Sequence, residues 1–331
     1  MTPTSSVERV SIIVRTKNRP TLLARALDDI LDQSFLSWRV VIVNDGGDAS
    51  DVNRVVDSRR DRFGGRVEVV HEAESQGMEA ASNLALARSS GEFVAIHDDD
   101  DTWAIDFLAA TVAELDRSPE LVGVAVATEI VFERLEGDRV VELERRPFGP
   151  PDDIVTVFDL LLSNRFVPIS LLTSRSAIEA IGGFDATLPV VGDWEMHLRL
   201  AASGSIAYLA DKTRAFWHQR PTADGDLANT VHGLSAFHSR YDKLVRERAL
   251  RAHIEAHGMG DLLYIAKHVQ QEVLAAEARL AGLQHEIAEE SDRRMLEHID
   301  RIVHEHVRHH SVAATMRRAV KRLTPFGKRA S

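Results

Sequence analysis

The chain has 331 residues, 44% of them hydrophobic, and a formal net charge of −11. This length and composition allow a sizeable core, in one large domain with an appendage or in two domains. The absence of cysteine excludes disulfides, thiolate metal sites and cysteine nucleophiles, and the acidic balance argues against nucleic-acid binding.

The first hundred residues alternate between apolar, β-branched runs and amphipathic segments. The runs predict strands and the amphipathic segments predict helices. We predict strands over 10–14, 39–43, 67–71 and 93–96, and helices over 21–31 and 79–87. This alternation is typical of an α/β fold in which helices connect the strands of a parallel sheet.

The following segment is predicted to continue the domain with further strands and helices. Strands are predicted over 121–132 and 139–143, and helices over 103–115, 174–181 and 193–202. After residue 222 the sequence becomes charged and helix-forming. We therefore predict a catalytic α/β domain over 1–222 and a mostly helical region over 223–331.

The helical region carries an apolar stripe between residues 265 and 305. Apolar residues recur there every three or four positions, from Val269 to Ile302, with a polar interruption at Ser291. Two outcomes stay open for this stripe: packing against the catalytic domain, or a coiled-coil homo-oligomer, since so long a helix rarely buries its whole stripe within one chain.

The two ends of the chain bear on its location in the cell. The first eight residues lack the basic and apolar pattern of a secretory signal, and no eighteen apolar residues run together, so we expect a cytoplasmic protein. Residues 312–331 contain six lysines and arginines and no acid. This tail predicts either a basic amphipathic helix in peripheral contact with the inner membrane face or a solvated tail.

Four consecutive aspartates, Asp98 to Asp101, directly follow the predicted strand over 93–96 and His97. Carboxylates gathered at a strand end suit a hard cation such as Mg²⁺ or Mn²⁺. Unpaired, they would repel each other by roughly 4 kcal/mol per pair at about 4 Å and an effective dielectric of about 20. The alternative is a solvated acidic loop.

Two other segments place polar residues at strand or helix ends. Residues 15–20 and 44–48 follow neighbouring strands, where open α/β sheets bind ligands, and neither contains a glycine-rich phosphate loop. Asp45 could accept a hydrogen bond from a pyrimidine imide, or belong to a plain turn. Asp193 opens a predicted helix, as an N-cap or as a general base that the helix dipole keeps ionised.

Taken in chain order, these segments resemble the motifs of family 2 glycosyltransferases over about 210 residues. The matching positions are 10–14, Thr16 with Asn18-Arg19-Pro20, Asn44-Asp45-Gly46, Gly77 with Asn83, Gly91-Glu92-Phe93 before the aspartates, Gly182-Gly183-Phe184-Asp185 and Gly192-Asp193-Trp194-Glu195. The resemblance implies a GT-A fold with a mixed sheet flanked by helices, a nucleotide-sugar donor, a divalent cation and inversion at the anomeric carbon.

The resemblance also implies roles for single residues. It assigns Asp193 as the catalytic base and Asp98 and Asp100 as the DXD motif, with Asp100 as the principal metal ligand. Nucleotide-binding positions are Thr16, Asn18, Arg19, Asp45, Asn83, Asp98 and Asp99. His218 is implied as a metal or diphosphate contact, with a structural histidine as the alternative. Trp194 and Glu195 are acceptor-side candidates, although Trp194 could equally be a buried aromatic.

Two positions depart from the family pattern. Relatives often have arginine directly before the asparagine at position 83, where this chain has Ser82, and the acid pair of the second loop begins here with Asn44. Base recognition is therefore expected to depend on Asp45.

These observations predict a metal-dependent inverting glycosyltransferase that uses Mn²⁺ or Mg²⁺. It would transfer a sugar from a nucleotide diphosphate, a UDP-sugar in our prediction, to a saccharide or lipid-linked saccharide in cell-surface polysaccharide synthesis. One alternative is a nucleotidyltransferase that makes nucleotide sugars, which would need a glycine-rich basic first loop. The other is a non-catalytic helical scaffold with a degenerate sugar-nucleotide domain, against which the presence of both Asp100 and Asp193 argues.

Overall fold

The structure is a computed structural model that describes residues 8–137, 139–149, 154–223, 225–227, 229, 235–310 and 315–318. The strands are β1 (Val10–Thr16), β2 (Trp38–Asp45), β3 (Val67–Glu72), β4 (Phe93–Ile96), β5 (Thr102–Trp103), β6 (Gly123–Glu136), β7 (Arg139–Phe148), β8 (Leu171–Ser174) and β9 (Ile206–Gln219). The helices are α1 (Pro20–Leu31), α2 (Ala49–Asp57), α3 (Arg60–Phe63), α4 (Met78–Arg88), α5 (Phe107–Arg117), α6 (Val157–Leu162), α7 (Arg175–Ala180), α8 (Gly192–Ser203), α9 (Ser235–His257) and α10 (Gly260–His310).

The strands of the described residues form one mixed sheet in the order β3-β2-β1-β4-β8-β6-β9-β5, with β7 paired to β6. Strands β3, β2, β1 and β4 are parallel neighbours, whereas β8 runs antiparallel to both β4 and β6. The carboxyl ends of β1, β2 and β4 therefore meet at one edge of the sheet, where α/β proteins bind ligands. The mixed sheet and the helical C-terminal region confirm the predicted fold class.

The central strands are buried on both faces because their side chains alternate between two cores. Ile12 and Ile42 contribute to one apolar cluster, whereas Ile13 and Val43 contribute to the other. All four side chains are completely buried. Strand β1 is therefore apolar from Val10 to Val14 apart from Ser11, as expected of a parallel strand covered on both sides, and it fixes the position of the residues that follow it.

Some element bounds differ from the prediction for local reasons. The helix predicted over 103–115 begins at Phe107, because Thr102 and Trp103 pair with Phe216 and Ala215 of β9 as the short strand β5. Helix α2 follows Asp48, whose carboxylate accepts the N–H of Ser50 as an N-cap. That helix was not predicted, since nine residues give little periodicity.

The chain divides into two compact units, Met1–Ala249 and Leu250–Ser331. The first unit extends past the predicted boundary at residue 222 and includes the start of α9. Val245 of that helix packs with Leu188 and Trp194, and Arg246 donates to the Leu161 carbonyl.

The second unit consists mainly of the 51-residue helix α10. Large apolar side chains along it are exposed, among them Leu280, Leu283 and Ile287. Across the described ranges, no helix combines the length and the apolar character needed to cross a bilayer. Of the predicted basic tail 312–331, residues 315–318 are helical, and the rest lies outside the described residues.

Candidate active site

Arg15, the next-to-last residue of β1, holds the first of the four aspartates. Its Nε donates to Asp98 Oδ1 at 3.0 Å, and a terminal nitrogen donates to the same oxygen. Arg15 is 8% exposed, whereas the Asp98 side chain is 22% exposed. Asp98 is therefore a carboxylate that is fixed by a buried guanidinium and still reachable from solvent.

Asp99 is buried against the loop that follows β1. Thr16 Oγ1 donates to its Oδ2 at 2.7 Å, and Arg19 donates to its Oδ1 at 3.1 Å. Burial raises the pKa of Asp99 to about 6 even though Arg19 favours the ionised form. The predicted nucleotide-binding residues Thr16, Arg19 and Asp99 thus lie together at the carboxyl edge of the sheet.

Asp100 is held by cationic and amide groups from two directions. Arg19 donates to it at 3.2 Å, Asn229 donates at 3.2 Å, and Arg220 forms an ion pair with it. Asp101 behaves differently, because it accepts the backbone N–H of His218 at 2.8 Å and burial raises its pKa well above the ordinary range. Asp100 faces the arginines, and Asp101 anchors β9.

Glu133 of β6 is a buried acid that accepts hydrogen bonds from three side chains near the aspartates. It was not among the predicted site residues. Its carboxylate accepts from Arg25 at 2.7 Å, from Arg220 at 2.6 Å and from His218 Nδ1 at 2.6 Å. Burial opposes its ionisation, but the bonds from His218 and Arg25 outweigh that effect and lower its pKa to about 2. The sequence did contain a clue to this residue: Glu133 comes two residues after Val131 of a predicted strand and therefore faces the same, buried side.

His218 lies near the end of β9, and both nitrogens of its ring form hydrogen bonds with other side chains. Nδ1 lies 2.6 Å from Glu133 and Nε2 lies 2.9 Å from Thr102 Oγ1. Burial lowers its pKa, which favours the neutral ring. This arrangement favours the structural alternative, and a metal contact by His218 stays a prediction that would require Nε2 to leave Thr102 Oγ1 while Nδ1 remains on Glu133.

Asp45 and Asn18 shape the two loops that precede the predicted nucleotide site. The Asp45 carboxylate accepts from Ser75 Oγ at 2.7 Å and from the backbone of residues 76 and 77 at 2.6 and 3.1 Å. Asn18 has a positive φ of 54° and accepts the N–H of Asp48 at 3.1 Å. Asp45 thus organises the loop before α4, and a further contact to a nucleobase stays a prediction.

Asn83 of α4 makes contacts other than those predicted for it. Its amide Nδ2 donates to the Phe184 carbonyl at 2.8 Å, and its Oδ1 accepts the Phe184 N–H at 2.9 Å. A side chain at Gly183 would collide with Asn83 Oδ1, at 2.7 Å from an added Cβ. Because both ends of the amide are used by this loop, the structure favours a structural role for Asn83 over nucleotide contact.

Asp193 lies in the first turn of α8, after Gly192 and not at the N-cap. The N-cap is Val191, which makes no side-chain cap bond. Its φ of 59° is strained for a β-branched residue. Asn164 Nδ2 donates to Asp193 Oδ2 at 2.8 Å. We expected the helix start to keep Asp193 ionised, but burial raises its pKa, opposed by the backbone bond at Trp194 and by Arg15.

The two acceptor-side candidates beside Asp193 are both engaged within the protein. Trp194 is 4% exposed, and its indole donates to the Leu160 carbonyl at 2.7 Å. Glu195 pairs with Arg199 at 2.6 Å. The structure therefore favours the buried-aromatic alternative for Trp194, and an acceptor contact by Glu195 would require it to leave Arg199.

The carboxylates at the strand end suit a cation that takes most of its other ligands from water and from the substrate. In the residues that the structure describes, no three histidine, aspartate or glutamate side chains converge as metal ligands. Mg²⁺ is commonly bound by one or two carboxylates together with substrate phosphates and water. Asp98 and Asp100 fit that mode, provided that a phosphate supplies further oxygens.

Comparison with known proteins supports the predicted family. Residues 11–153 match the profile described as "Glycosyl transferase family 2". The chain is 27% identical over 194 residues to YwdF of Bacillus subtilis, an uncharacterised glycosyltransferase, which covers 58% of this chain and 68% of YwdF. It is 33% identical over 99 residues to TuaG of the same organism, named as a teichuronic acid biosynthesis glycosyltransferase, covering 30% of this chain and 38% of TuaG.

Among solved structures, the fold is similar to that of S. aureus TarS 1–349 in complex with UDP-GlcNAc. The TM-score is 0.53 at 20% identity, over 66% of this chain and 59% of the TarS chain. The similarity confirms the GT-A-like architecture. The match thus spans about three fifths of the TarS fragment. It covers about two thirds of YwdF and well under half of TuaG.

Proposed function

We propose that this chain, whose residues 11–153 match glycosyl transferase family 2, is a metal-dependent inverting glycosyltransferase. The proposed reaction moves a sugar from a nucleotide diphosphate to a saccharide or lipid-linked saccharide. One observation carries the proposal: the buried Arg15 pairs with Asp98 at the strand end and also acts electrostatically on Asp193 at the start of α8. The carboxylate proposed for the donor side is therefore paired with this guanidinium, and the one proposed as base lies within its electrostatic range.

The strand-end carboxylates are proposed to hold the cation and, through the cation, the diphosphate. Asp98 and Asp100 would supply oxygen ligands, and a bound Mg²⁺ or Mn²⁺ would neutralise charge that develops on the departing diphosphate. Arg220 and Arg19 now pair with Asp100. Because a guanidinium also pairs well with phosphate, these arginines have an alternative partner when the donor binds.

Asp193 is proposed to take the proton from the acceptor hydroxyl. The hydroxyl oxygen forms a bond to the anomeric carbon while the bond from that carbon to the diphosphate oxygen breaks, which inverts the configuration. The proton passes to Asp193 and the nucleoside diphosphate leaves with the bonding electrons. A carboxylate in this role contributes on the order of 10² to 10⁴ in rate.

A UDP-sugar is the proposed donor, with Thr16, Asn18, Arg19 and Asp45 around its nucleoside. A neighbour in fold, TarS, was solved in complex with UDP-GlcNAc, which makes this compound the first donor to test. The name of TuaG supports a setting in cell-surface polysaccharide synthesis. Contact of residues 312–331 with a membrane surface would bring the enzyme to lipid-linked acceptors.

The experiment is a donor screen on the purified full chain. Thermal unfolding is followed with UDP- and GDP-sugars, with Mn²⁺ or EDTA, because a ligand of the folded state raises the melting temperature. Donors that bind are then assayed for nucleoside diphosphate release with and without saccharide acceptors. Metal-dependent release of UDP supports the proposal. Release of pyrophosphate would support the nucleotidyltransferase alternative, and no binding of any nucleotide sugar would support the scaffold.

A further inference from the structure

Glu79, in the first turn of α4, is a buried carboxyl group that the proposed reaction does not yet use. It is 4% exposed, and its Oε2 has no hydrogen-bond partner. The nearest cation is Arg15, whose NH1 lies 3.6 Å from that oxygen. An incompletely bonded buried acid costs stability, so its presence beside a candidate site asks for a reason other than packing.

The Glu79 side chain occupies the space next to Gly192, the first residue of α8. A Cβ added at Gly192 would lie 2.5 Å from Glu79 Oε1 and 2.6 Å from its Cδ. Gly192 has no left-handed backbone that would demand glycine, since its φ is not among the positive values. A larger residue at position 192 would therefore have to displace the Glu79 carboxyl group, which packs directly against the residue before Asp193.

Arg15 connects this carboxyl group to the donor side. The same guanidinium that holds Asp98 also donates from NH1 to Ser82 Oγ at 3.2 Å. The guanidinium of Arg15, which belongs to β1, therefore faces α4 at both Ser82 and Glu79.

We propose that Arg15 and Glu79 form a buried positioning pair that fixes Asp193, through Gly192 at the start of α8, relative to Asp98. Glu79 is a positioning residue, because it acts through the helix start and is not assigned a contact with substrate. The inference rests on the proposed function. A plain structural alternative exists, since an acid in the first turn also complements the dipole of α4.

A carboxylate exchange between positions 79 and 192 separates the two explanations. The variants are Glu79→Ala, Gly192→Glu and the double variant, with Glu114→Ala, an acid of α5 paired to Arg117, as control. In glutamate the Cβ and Cδ are separated by two bonds, so a glutamate at 192 can bring its carboxyl group to the vacated place. We expect Glu79→Ala to lower kcat roughly 10- to 100-fold with the donor KM changed less than about threefold, and the double variant to recover most of kcat.

The single variant Gly192→Glu should lose activity, because two carboxyl groups would compete for one space. Full activity of Glu79→Ala overturns the proposal. So does a folded double variant, judged by circular dichroism, that recovers nothing, since a role in the dipole of α4 would not be restored from α8.

A second measurement does not depend on catalysis. Melting temperatures of Arg15→Ala, Glu79→Ala and the double variant form a cycle, and a pair in contact gives a double shift that is not the sum of the single shifts. Additive shifts overturn the pair. A wild-type chain without transferase activity would contradict the proposed function, and this cycle would then decide the pairing of Arg15 and Glu79 by itself.

Discussion

At the residue scale, the sharpest prediction concerns Asp193. We expect Asp193→Asn to lower the transfer rate by about 10² to 10⁴ with nucleotide binding nearly unchanged, because the amide keeps the shape of the side chain and cannot accept the proton. Nucleoside diphosphate release and nucleotide-induced thermal shifts measure the two quantities. Asp116→Asn, which removes a carboxylate paired with Arg9 elsewhere, is the matched control. Full turnover of Asp193→Asn would make Glu195 the next candidate for the base.

Asn164 gives a second prediction at this scale, on the pH dependence of the reaction. Its donation to Asp193 favours the ionised carboxylate and so lowers a pKa that burial raises. Removing that donor in Asn164→Ala should raise the pKa of Asp193 further. Because the base acts only when ionised, the acidic limb of the kcat profile should move to higher pH. The matched control Asn53→Ala on α2 should leave the acidic limb of the kcat profile unchanged. If the limb of Asn164→Ala is also unchanged, Asn164 does not influence the pKa of the base.

At the element scale, β1, β2 and β4 were predictable because buried parallel strands are short apolar runs, and their polar ends marked the site. The contacts within the site were less predictable. Glu79, Asp100 and Glu133 meet partners 64 to 129 residues away, such as Arg15, Arg220 and Asn229, and no local pattern specifies such pairs. Asn83 and Trp194 match family motifs, yet their polar side-chain atoms form hydrogen bonds with the backbone of Phe184 and Leu160.

The exposed stripe of α10 carries the prediction that belongs to this scale. We expect the stripe to pair with that of a second copy as a coiled coil, which would bury Leu280, Leu283 and Ile287. Leu283→Glu would place a charge in this seam and should shift the molar mass measured by light scattering from oligomer towards monomer. Ala278→Glu adds the same charge on the opposite face of the helix and should leave the mass unchanged. A monomeric wild-type chain at micromolar concentration would contradict the coiled coil.

At the scale of the whole molecule, the buried acids of the site predict how stability depends on pH. Burial raises the pKa of Glu79 to about 7 and that of Asp99 to about 6, so the folded chain binds protons there that the unfolded chain has released. The contribution of these two acids to the free energy of unfolding should therefore fall as pH rises from about 5 to 7. Glu133 acts in the opposite sense, because its pKa is lowered to about 2 and its contribution is lost as pH falls below about 4.5.

Glu79, Asp99 and Glu133 together favour a maximum of stability near pH 5 for the chain without nucleotide or metal. His197 opposes the two raised acids, because burial lowers its pKa to about 3 and its contribution to stability rises with pH up to about 6.5. Urea unfolding between pH 4 and 8 in EDTA measures the curve. Glu79→Gln removes one of the raised groups, so the difference in unfolding free energy between wild type and Glu79→Gln should change between pH 5 and 7, whereas the difference for Glu114→Gln should not. A difference for Glu79→Gln that stays constant from pH 5 to 7 would contradict the raised pKa of Glu79. If the measured difference follows this expectation, burial of acids at the site lowers the stability of the fold at neutral pH. Binding of the cationic metal together with the donor is expected to restore that stability.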